Sequence, residues 1–135
     1  KLRNGKAVVL LSTAEGAGSD YLRDAGRHSE GALLAPGFFP AADDEVIGPF
    51  VESYRTALGT EPTAIDAYAY DAAQMIGAFA GTTRAALSQA LVGARHLGVT
   101  GTVQFSHDHH RRSDAGIVFL IEADGAGGFR AKALR

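Results

Sequence analysis

The sequence contains no cysteine among its 135 residues. This absence excludes a disulfide framework, a thiolate nucleophile and a zinc site built from cysteine. The chain also lacks an uninterrupted apolar run of the ~18 residues that span a membrane, because aspartate and glutamine interrupt its longest apolar segment, 64–80. An excess of either sign of charge is also missing, because 13 lysines and arginines nearly balance 15 aspartates and glutamates and the formal net charge is -2. The composition is that of an ordinary globular protein and indicates no nucleic-acid partner.

Apolar patterning predicts an α/β fold. The continuous apolar run 7–11 is typical of a strand covered on both faces in a parallel sheet. A helix capped by Ser19 or Asp20 follows, and then a second short apolar run at 31–35, an order that predicts a βαβ unit. Because the length suits one domain with a single core, we expect residues 1–135 to form a single α/β unit with a parallel sheet flanked by helices.

The middle of the chain is predicted to be helical and its end to be β structure. Helices are expected over 46–58, 65–79 and 84–94. Gly59 ends the first of them, and Thr82 or Thr83 caps the last. Beyond Gly98, strand-like runs separated by polar or glycine-rich turns occupy 101–105, 115–123 and 128–134. The carboxy-terminal part is therefore expected to be rich in strands.

The segment that follows the first predicted strand is the main candidate for a ligand site. In open α/β sheets, ligands bind beyond the carboxyl ends of strands, where Ser12, Thr13, Glu15 and Gly16 stand in this sequence. Glu15 suits an ammonium group, and the two hydroxyls or nearby backbone N–H groups would hydrogen-bond the rest of a zwitterion. The alternative is that Ser12 and Thr13 only form the turn and Glu15 is solvated.

The same segment also allows a nucleotide-binding interpretation. Gly16 and Gly18 have the G-x-G spacing of a dinucleotide fingerprint, but Tyr21 occupies the third glycine position and prevents close approach of helix and strand. No lysine followed by serine or threonine supplies a phosphate loop, and Glu15 would repel phosphate. A stand-alone nucleotide-binding α/β enzyme is therefore the weaker alternative.

The most polar stretch, HDHHRR at 107–112, invites a metal-site interpretation. Consecutive turn residues seldom converge on one ion, so a solvated turn is favoured, with a docking contact through its arginines as a further option. Asp66 and Asp71 lie about 140° apart around their helix and do not form an acid/base pair, so one of them should cap the helix or face solvent. No nucleophile motif is present either, and we predict no catalytic residue, metal or cofactor.

Several segments in this order carry a family resemblance. They include EG at 15–16, PFVESYRTALGTEP at 49–62 and, most specifically, Y-D-A at 70–72 and the G-x-T-G-x-x-x-F pattern at 98–105. Together they resemble the carboxy-terminal part of type I periplasmic solute-binding proteins, above all the branched-chain amino-acid-binding family of ABC importers. The resemblance covers most of the chain and implies a fragment, mainly of the second lobe, of a protein with two α/β lobes.

The resemblance implies a non-enzymatic protein that closes over an amino-acid-like solute and delivers it to a membrane ABC permease. Glu15 stands where the family's P-E-G-like loop binds the ligand's ammonium, although Ala14 replaces the proline. The family's turn F-D-x-x-G-D-R corresponds to the histidine-rich 105–112 segment. The implied location is the periplasm, or the outer face of the membrane as a lipoprotein.

Two further expectations depend on this resemblance. An envelope lipoprotein of the same fold that regulates cell-wall synthesis would bind a protein instead of a solute, with Phe38 and Phe39 as a candidate contact. The other interpretation of these two rings, a core plug, is the ordinary one for large apolar side chains. A lobe separated from its partner lobe would also expose apolar surface, so self-association of the isolated chain is expected.

Overall fold

The computed structural model describes residues 2–3, 6–13, 24–112, 116–123 and 129–134 of the chain. The strands in this part are β1 (Leu2–Arg3), β2 (Lys6–Ala7), β3 (Leu11–Ser12), β4 (Leu33–Leu34), β5 (Ala42–Asp43), β6 (Arg95–Gly98), β7 (Gly101–Gln104), β8 (Val118–Ala123) and β9 (Phe129–Leu134). The α-helices are α1 (Ile47–Leu58), α2 (Ala64–Gly77) and α3 (Arg84–Gly93), and a 3₁₀ turn occupies Gly26–Ser29. None of the described helices is both long and apolar enough to cross a membrane.

A five-stranded sheet in the order β3-β4-β8-β9-β5 forms the centre of the fold. β3 runs parallel to β4, with Leu11 opposite Leu33, and β5 runs parallel to β9. The long β8–β9 hairpin joins these two parallel pairs through antiparallel contacts. The predicted α/β fold and the parallel pairing of its first two strands are thereby confirmed, although the helix predicted between them is described only from residue 24 onward.

The first predicted strand differs from expectation in its length and its burial. In place of one strand over 7–11, residues 8–10 make no ladder, and β3 begins at Leu11 on the edge of the sheet. As an edge strand, β3 hydrogen-bonds to a neighbouring strand on one side only. The faces of the sheet are also uncovered here, because the side chain of Leu11 is 77% exposed. The prediction that this strand is covered on both faces is therefore wrong for the arrangement in the structure.

The hydrophobic core lies where α1 packs on the sheet. Phe119 and Ile121 of β8 are almost fully buried, together with Ile47 of α1. Phe38 packs edge-on against Phe50 with ring centroids 5.8 Å apart. Its neighbour Phe39 packs against Phe119 at 5.9 Å. The core interpretation of the Phe38–Phe39 pair is thus confirmed.

The helix ends follow the chemistry predicted for them. α1 begins where the Asp44 carboxylate accepts hydrogen bonds from the backbone N–H groups of Val46 and Ile47, both at 2.9 Å. It ends at Gly59, whose left-handed φ of 71° suits glycine. Thr83 caps α3. Sequence analysis missed β6, because the predicted helix extended to residue 94 and the following RHLG segment carries little strand signal.

We expect the first turn of α2 to contribute stability in a pH-dependent way. The Asp66 carboxylate accepts hydrogen bonds from the Thr63 hydroxyl at 2.6 Å and the Thr63 backbone N–H at 2.7 Å, which lower the pKa of Asp66 below its ordinary value. The stabilisation is therefore present above the ordinary pKa of aspartate and is lost as the pH falls through the lowered value. Unfolding midpoints of wild type and Asp66→Asn, measured from pH 7 to pH 2, should differ at neutral pH and converge in acid. A constant difference across this range would contradict the account.

Candidate functional site

The carboxyl ends of β3 and β4 lie side by side. The carbonyl of Ser12 accepts a hydrogen bond from the backbone N–H of Ala35 at 2.9 Å, and Thr13 follows at an exposed position. Ser12 is thus the last residue of a parallel strand and Thr13 lies just beyond it, whereas the sequence placed both beyond the strand. Glu15 and Gly16 lie outside the described residues, and the ligand role of all four residues stays a prediction.

A cleft of about 470 Å³ opens beyond the end of β4. Its size suits a small molecule. The cleft is lined by Ala35, Gly37, Tyr68, Thr100, Arg111, Arg112, Gly116, Ile117 and Val118. Since Ala35 also bonds to Ser12, the cleft adjoins the predicted site at the end of β3.

Tyr68 of α2 forms one wall of this cleft. Its hydroxyl lies where a Cβ atom on Gly37 would be, so a side chain there would require Tyr68 to move, and Gly37 also has a left-handed φ of 78°. The guanidinium carbon of Arg111 lies 5.7 Å from the centroid of the Tyr68 ring, within cation–π range. The same guanidinium donates from Nη2 to the carbonyl of Thr100 at 2.9 Å. Arg111 is therefore fixed from two sides.

A buried carboxylate holds the turn that carries Thr100. Asp71, only 2% exposed, accepts hydrogen bonds from the backbone N–H groups of Val99 at 2.8 Å and Thr100 at 2.9 Å, and from the Thr100 hydroxyl at 2.5 Å. Three donors satisfy a charge that would otherwise be costly to bury. The carboxylate also lies where a Cβ atom on Gly98 would be, so only glycine fits at that position.

The two aspartates of α2 thus have different functions. Asp66 caps the helix, which confirms that one of the pair does so, whereas Asp71 connects α2 to the β6–β7 turn. Sequence analysis missed this second role. A signal was present, because Asp71 belongs to the Y-D-A segment and its partners to the G-x-T-G pattern, the two most specific parts of the resemblance.

A second, smaller cavity of about 240 Å³ lies between α2, α3 and β7. Its wall is almost entirely apolar and includes Met75, Leu91 and Val103. Tyr68, Thr100 and Arg111 line both cavities, which are therefore neighbours.

The histidine-rich segment is an exposed turn, as predicted. Phe105 pairs with Arg111 across it, and His109 takes a left-handed φ of 64°. The Ser106 hydroxyl hydrogen-bonds to the Asp108 carboxylate and thereby lowers the pKa of that carboxyl. Among the described residues, no group of three histidine, aspartate or glutamate side chains could hold a metal ion. What sequence analysis did not foresee is that the turn places Arg111 in the cleft.

Comparison with known proteins agrees with this architecture. The family model described as "Periplasmic binding protein" matches residues 3–126. A branched-chain amino acid ABC transporter structure from Rhodospirillum rubrum is similar at 27% identity with a TM-score of 0.75. An ABC transporter substrate-binding protein from Desulfitobacterium hafniense, in complex with Leu, is similar at 25% identity and a TM-score of 0.56. A leucine binding protein from Thermotoga maritima, at 21% identity and a TM-score of 0.54, shares the fold.

These similarities cover nearly all of this chain but a minor part of the relatives. The three alignments span 94%, 91% and 97% of this chain and 38%, 43% and 38% of the respective structures. No curated protein sequence matches significantly. Since the family model covers residues 3–126 of 135, the chain belongs to the periplasmic binding protein family.

Proposed function

We propose that this chain is part of the extracytoplasmic solute-binding component of an ABC-type importer, and that the solute is an amino acid or a similar small polar molecule. The observation that supports this most directly is a cleft of ligand size beyond the end of β4, because its lining residue Ala35 donates a backbone hydrogen bond to the carbonyl of Ser12 at the carboxyl end of β3. Membership of the periplasmic binding protein family agrees with such a role. The relative from Desulfitobacterium hafniense was solved in complex with Leu, which makes leucine the first solute to test.

In this proposal, residues 1–135 form one α/β unit of a two-lobed protein. Glu15 pairs with the ammonium group of the solute, and Ser12, Thr13 and the backbone at Gly16 hydrogen-bond around it. Two lobes close over the solute by a hinge motion and release it to a membrane permease. The protein binds without performing a reaction and needs no cofactor. Its location is the periplasm, or the outer face of the membrane if the protein is lipid-anchored.

The test is a calorimetric titration of the intact polypeptide that contains this chain. Leucine and isoleucine should bind with a saturable signal, and ATP and NAD should give none. Binding of a nucleotide in place of the amino acids would instead favour the stand-alone enzyme, whose candidate phosphate site at 16–19 lies outside the described residues. Cell fractionation tests the location independently, and recovery of the native polypeptide in the cytoplasm would contradict the transport role.

The regulatory lipoprotein of the same fold receives less support. Its candidate protein contact, the Phe38–Phe39 pair, packs into the core of the domain. Phe38 is only 4% exposed, and the Phe39 ring rests on Phe119. Because these rings are part of the core, they do not offer the contact surface that a regulatory partner protein would need.

We expect the isolated 135-residue chain to self-associate. Leu11 on the sheet edge and Ile65 on α2 expose 77% and 79% of their surface, and Val9 exposes 64%. Unpaired sheet edges and exposed apolar side chains favour association between copies. Light scattering of the chain should therefore show a mass above that of the monomer at high concentration. Leu11→Lys and Ile65→Lys together should lower it, and a purely monomeric wild-type chain would contradict the expectation.

A further inference from the structure

The part of the chain that contains α2, α3 and the β6–β7 hairpin has little hydrophobic core of its own. Of the core cluster formed by the described residues, only Ala67 and Val99 come from residues 60–112. α3 buries no side chain, although most of its residues are apolar. β6 and β7 form a separate two-stranded sheet, and an isolated hairpin of this size is only marginally stable. These elements therefore need a further apolar surface to pack against.

α2 packs with one of its faces and leaves a second, apolar face exposed. The packed face carries the three buried side chains of the helix, Ala67, Asp71 and Met75. The second face lies about 130° further around the helix axis. We call it the uncovered face, and it consists of Ile65, Ala69, Ala72 and Ile76. All four residues are exposed, and the two isoleucines expose 79% and 52% of their surface. A helix that is apolar on most of its surface is normally buried on more than one side.

The apolar cavity of about 240 Å³ adjoins the uncovered face. Ala72 and Ile76 line this cavity as well, and because both are exposed the cavity opens to the surface beside them. Leu91 of α3 and Val103 of β7 belong to the rest of its wall. Protein interiors are closely packed, so an apolar side chain projecting from a packing partner is expected to fill such a cavity. The face and the cavity together form one continuous apolar surface.

The composition of this surface and the length of the relatives indicate the partner. The charged residues of α2, Asp66 and Asp71, both lie outside the uncovered face, so an uncharged apolar surface is the complementary one. More than half of each of the three compared structures lies outside the part that aligns with this chain. The family resemblance assigns this chain to the carboxy-terminal part, which places the remainder before residue 1. Packing within one polypeptide also avoids the loss of translational and rotational freedom that binding of a second molecule entails.

We propose that the uncovered face of α2 and the adjoining apolar cavity are an intramolecular interface, covered in the intact polypeptide by an apolar face of the α/β lobe that precedes residue 1. The inference goes beyond solute binding. It rests only on that part of the proposed function in which this chain is one portion of a two-lobed protein. Residues 60–112 thereby gain a second hydrophobic core, which they share with the preceding lobe.

The experiment measures the accessibility of single thiols in the intact polypeptide, since residues 1–135 contain no cysteine. Ile65→Cys and Ile76→Cys place a thiol on the uncovered face. Leu58→Cys, at the last residue of α1 where the leucine is 62% exposed, is the matched control. Each variant is labelled with a maleimide, mass spectrometry identifies the modified peptide, and the rate is divided by that of the same variant in urea. Both thiols on the uncovered face should react about 10- to 100-fold more slowly than the control.

The outcomes separate this inference from the proposed function and from other occupants. Equal rates in all three variants would overturn the inference, and leucine binding by the same protein would leave the transport role standing. Slow labelling at 65 and 76 without leucine binding would support the interface and count against the amino-acid solute. Slow labelling that is lost on dilution, with a dimer mass in light scattering, would show that a second copy covers the face and would also overturn the inference.

A charge on the uncovered face provides a second measurement. Ile76→Lys in the intact polypeptide would place an ammonium group in an apolar interface and should lower the thermal unfolding midpoint by about 5–10 °C. Leu58→Lys, at the exposed end of α1, should leave the midpoint nearly unchanged. Ile76→Ala, which only shortens the side chain, should lower the midpoint less than Ile76→Lys does. An unchanged midpoint in Ile76→Lys would contradict burial of this face.

Discussion

Replacing Asp71 by alanine is expected to lower the free energy of unfolding by about 3–5 kcal/mol, because it leaves three buried hydrogen-bond donors without an acceptor. These donors are the backbone N–H groups of Val99 and Thr100 and the Thr100 hydroxyl. Asp71→Asn should lose less, since one amide oxygen can still accept. Urea unfolding of the intact polypeptide measures the effect.

Two comparisons make this expectation specific to the turn. Asp66→Ala, on the first turn of the same helix, removes a less buried carboxylate that hydrogen-bonds to the cap residue Thr63 and to Tyr54, and it should destabilise less. Gly98→Ala introduces a Cβ atom where the Asp71 carboxylate lies and should destabilise by displacing it. Because both changes disrupt the same contact, the double variant Asp71→Ala/Gly98→Ala should lose less than the sum of the two. Strict additivity would contradict the contact as described.

The second large effect is expected at Glu15. If this side chain binds the ammonium group of the solute, Glu15→Gln should cost about 2–5 kcal/mol of binding free energy. Each loss of about 1.4 kcal/mol weakens the affinity tenfold. Titration of the intact polypeptide with leucine measures the loss. Glu52→Gln, at an exposed position on α1 that does not line the cleft, removes the same charge and serves as the control. Unchanged affinity in Glu15→Gln would remove this residue from the site.

The features that could be predicted from sequence depend on local interactions. The three helices were recognised because apolar periodicity, a capping hydroxyl or a terminal glycine all act within a few residues. Thr63 and Asp66 contact each other across one helical turn, and Gly59 ends α1 through its own backbone. The parallel β3–β4 pair followed from the order of apolar runs.

Contacts between segments that are distant in the sequence could not be predicted from these local patterns. β4 pairs with β8, so Leu33 lies opposite Leu120, and no periodicity in either segment specifies that partner. Asp71 hydrogen-bonds to Thr100, which lies 29 residues later in the sequence. The helical pattern around Asp71 does not specify whether its side chain faces water or a distant turn, and the only signal was its place in the Y-D-A segment of the resemblance. The position of Arg111 in the cleft depends on this contact and was missed with it.

The strand order has a consequence for how the protein is made. β9 lies between β8 and β5, and β8 lies beside β4, so the last strands in the sequence occupy the middle of the sheet. On a ribosome, β4 and β5 emerge some eighty residues before the hairpin that joins them. The sheet can therefore close only after β8 and β9 have been synthesised, and until then β4 and β5 keep unpaired edges that nascent-chain chaperones would need to shield.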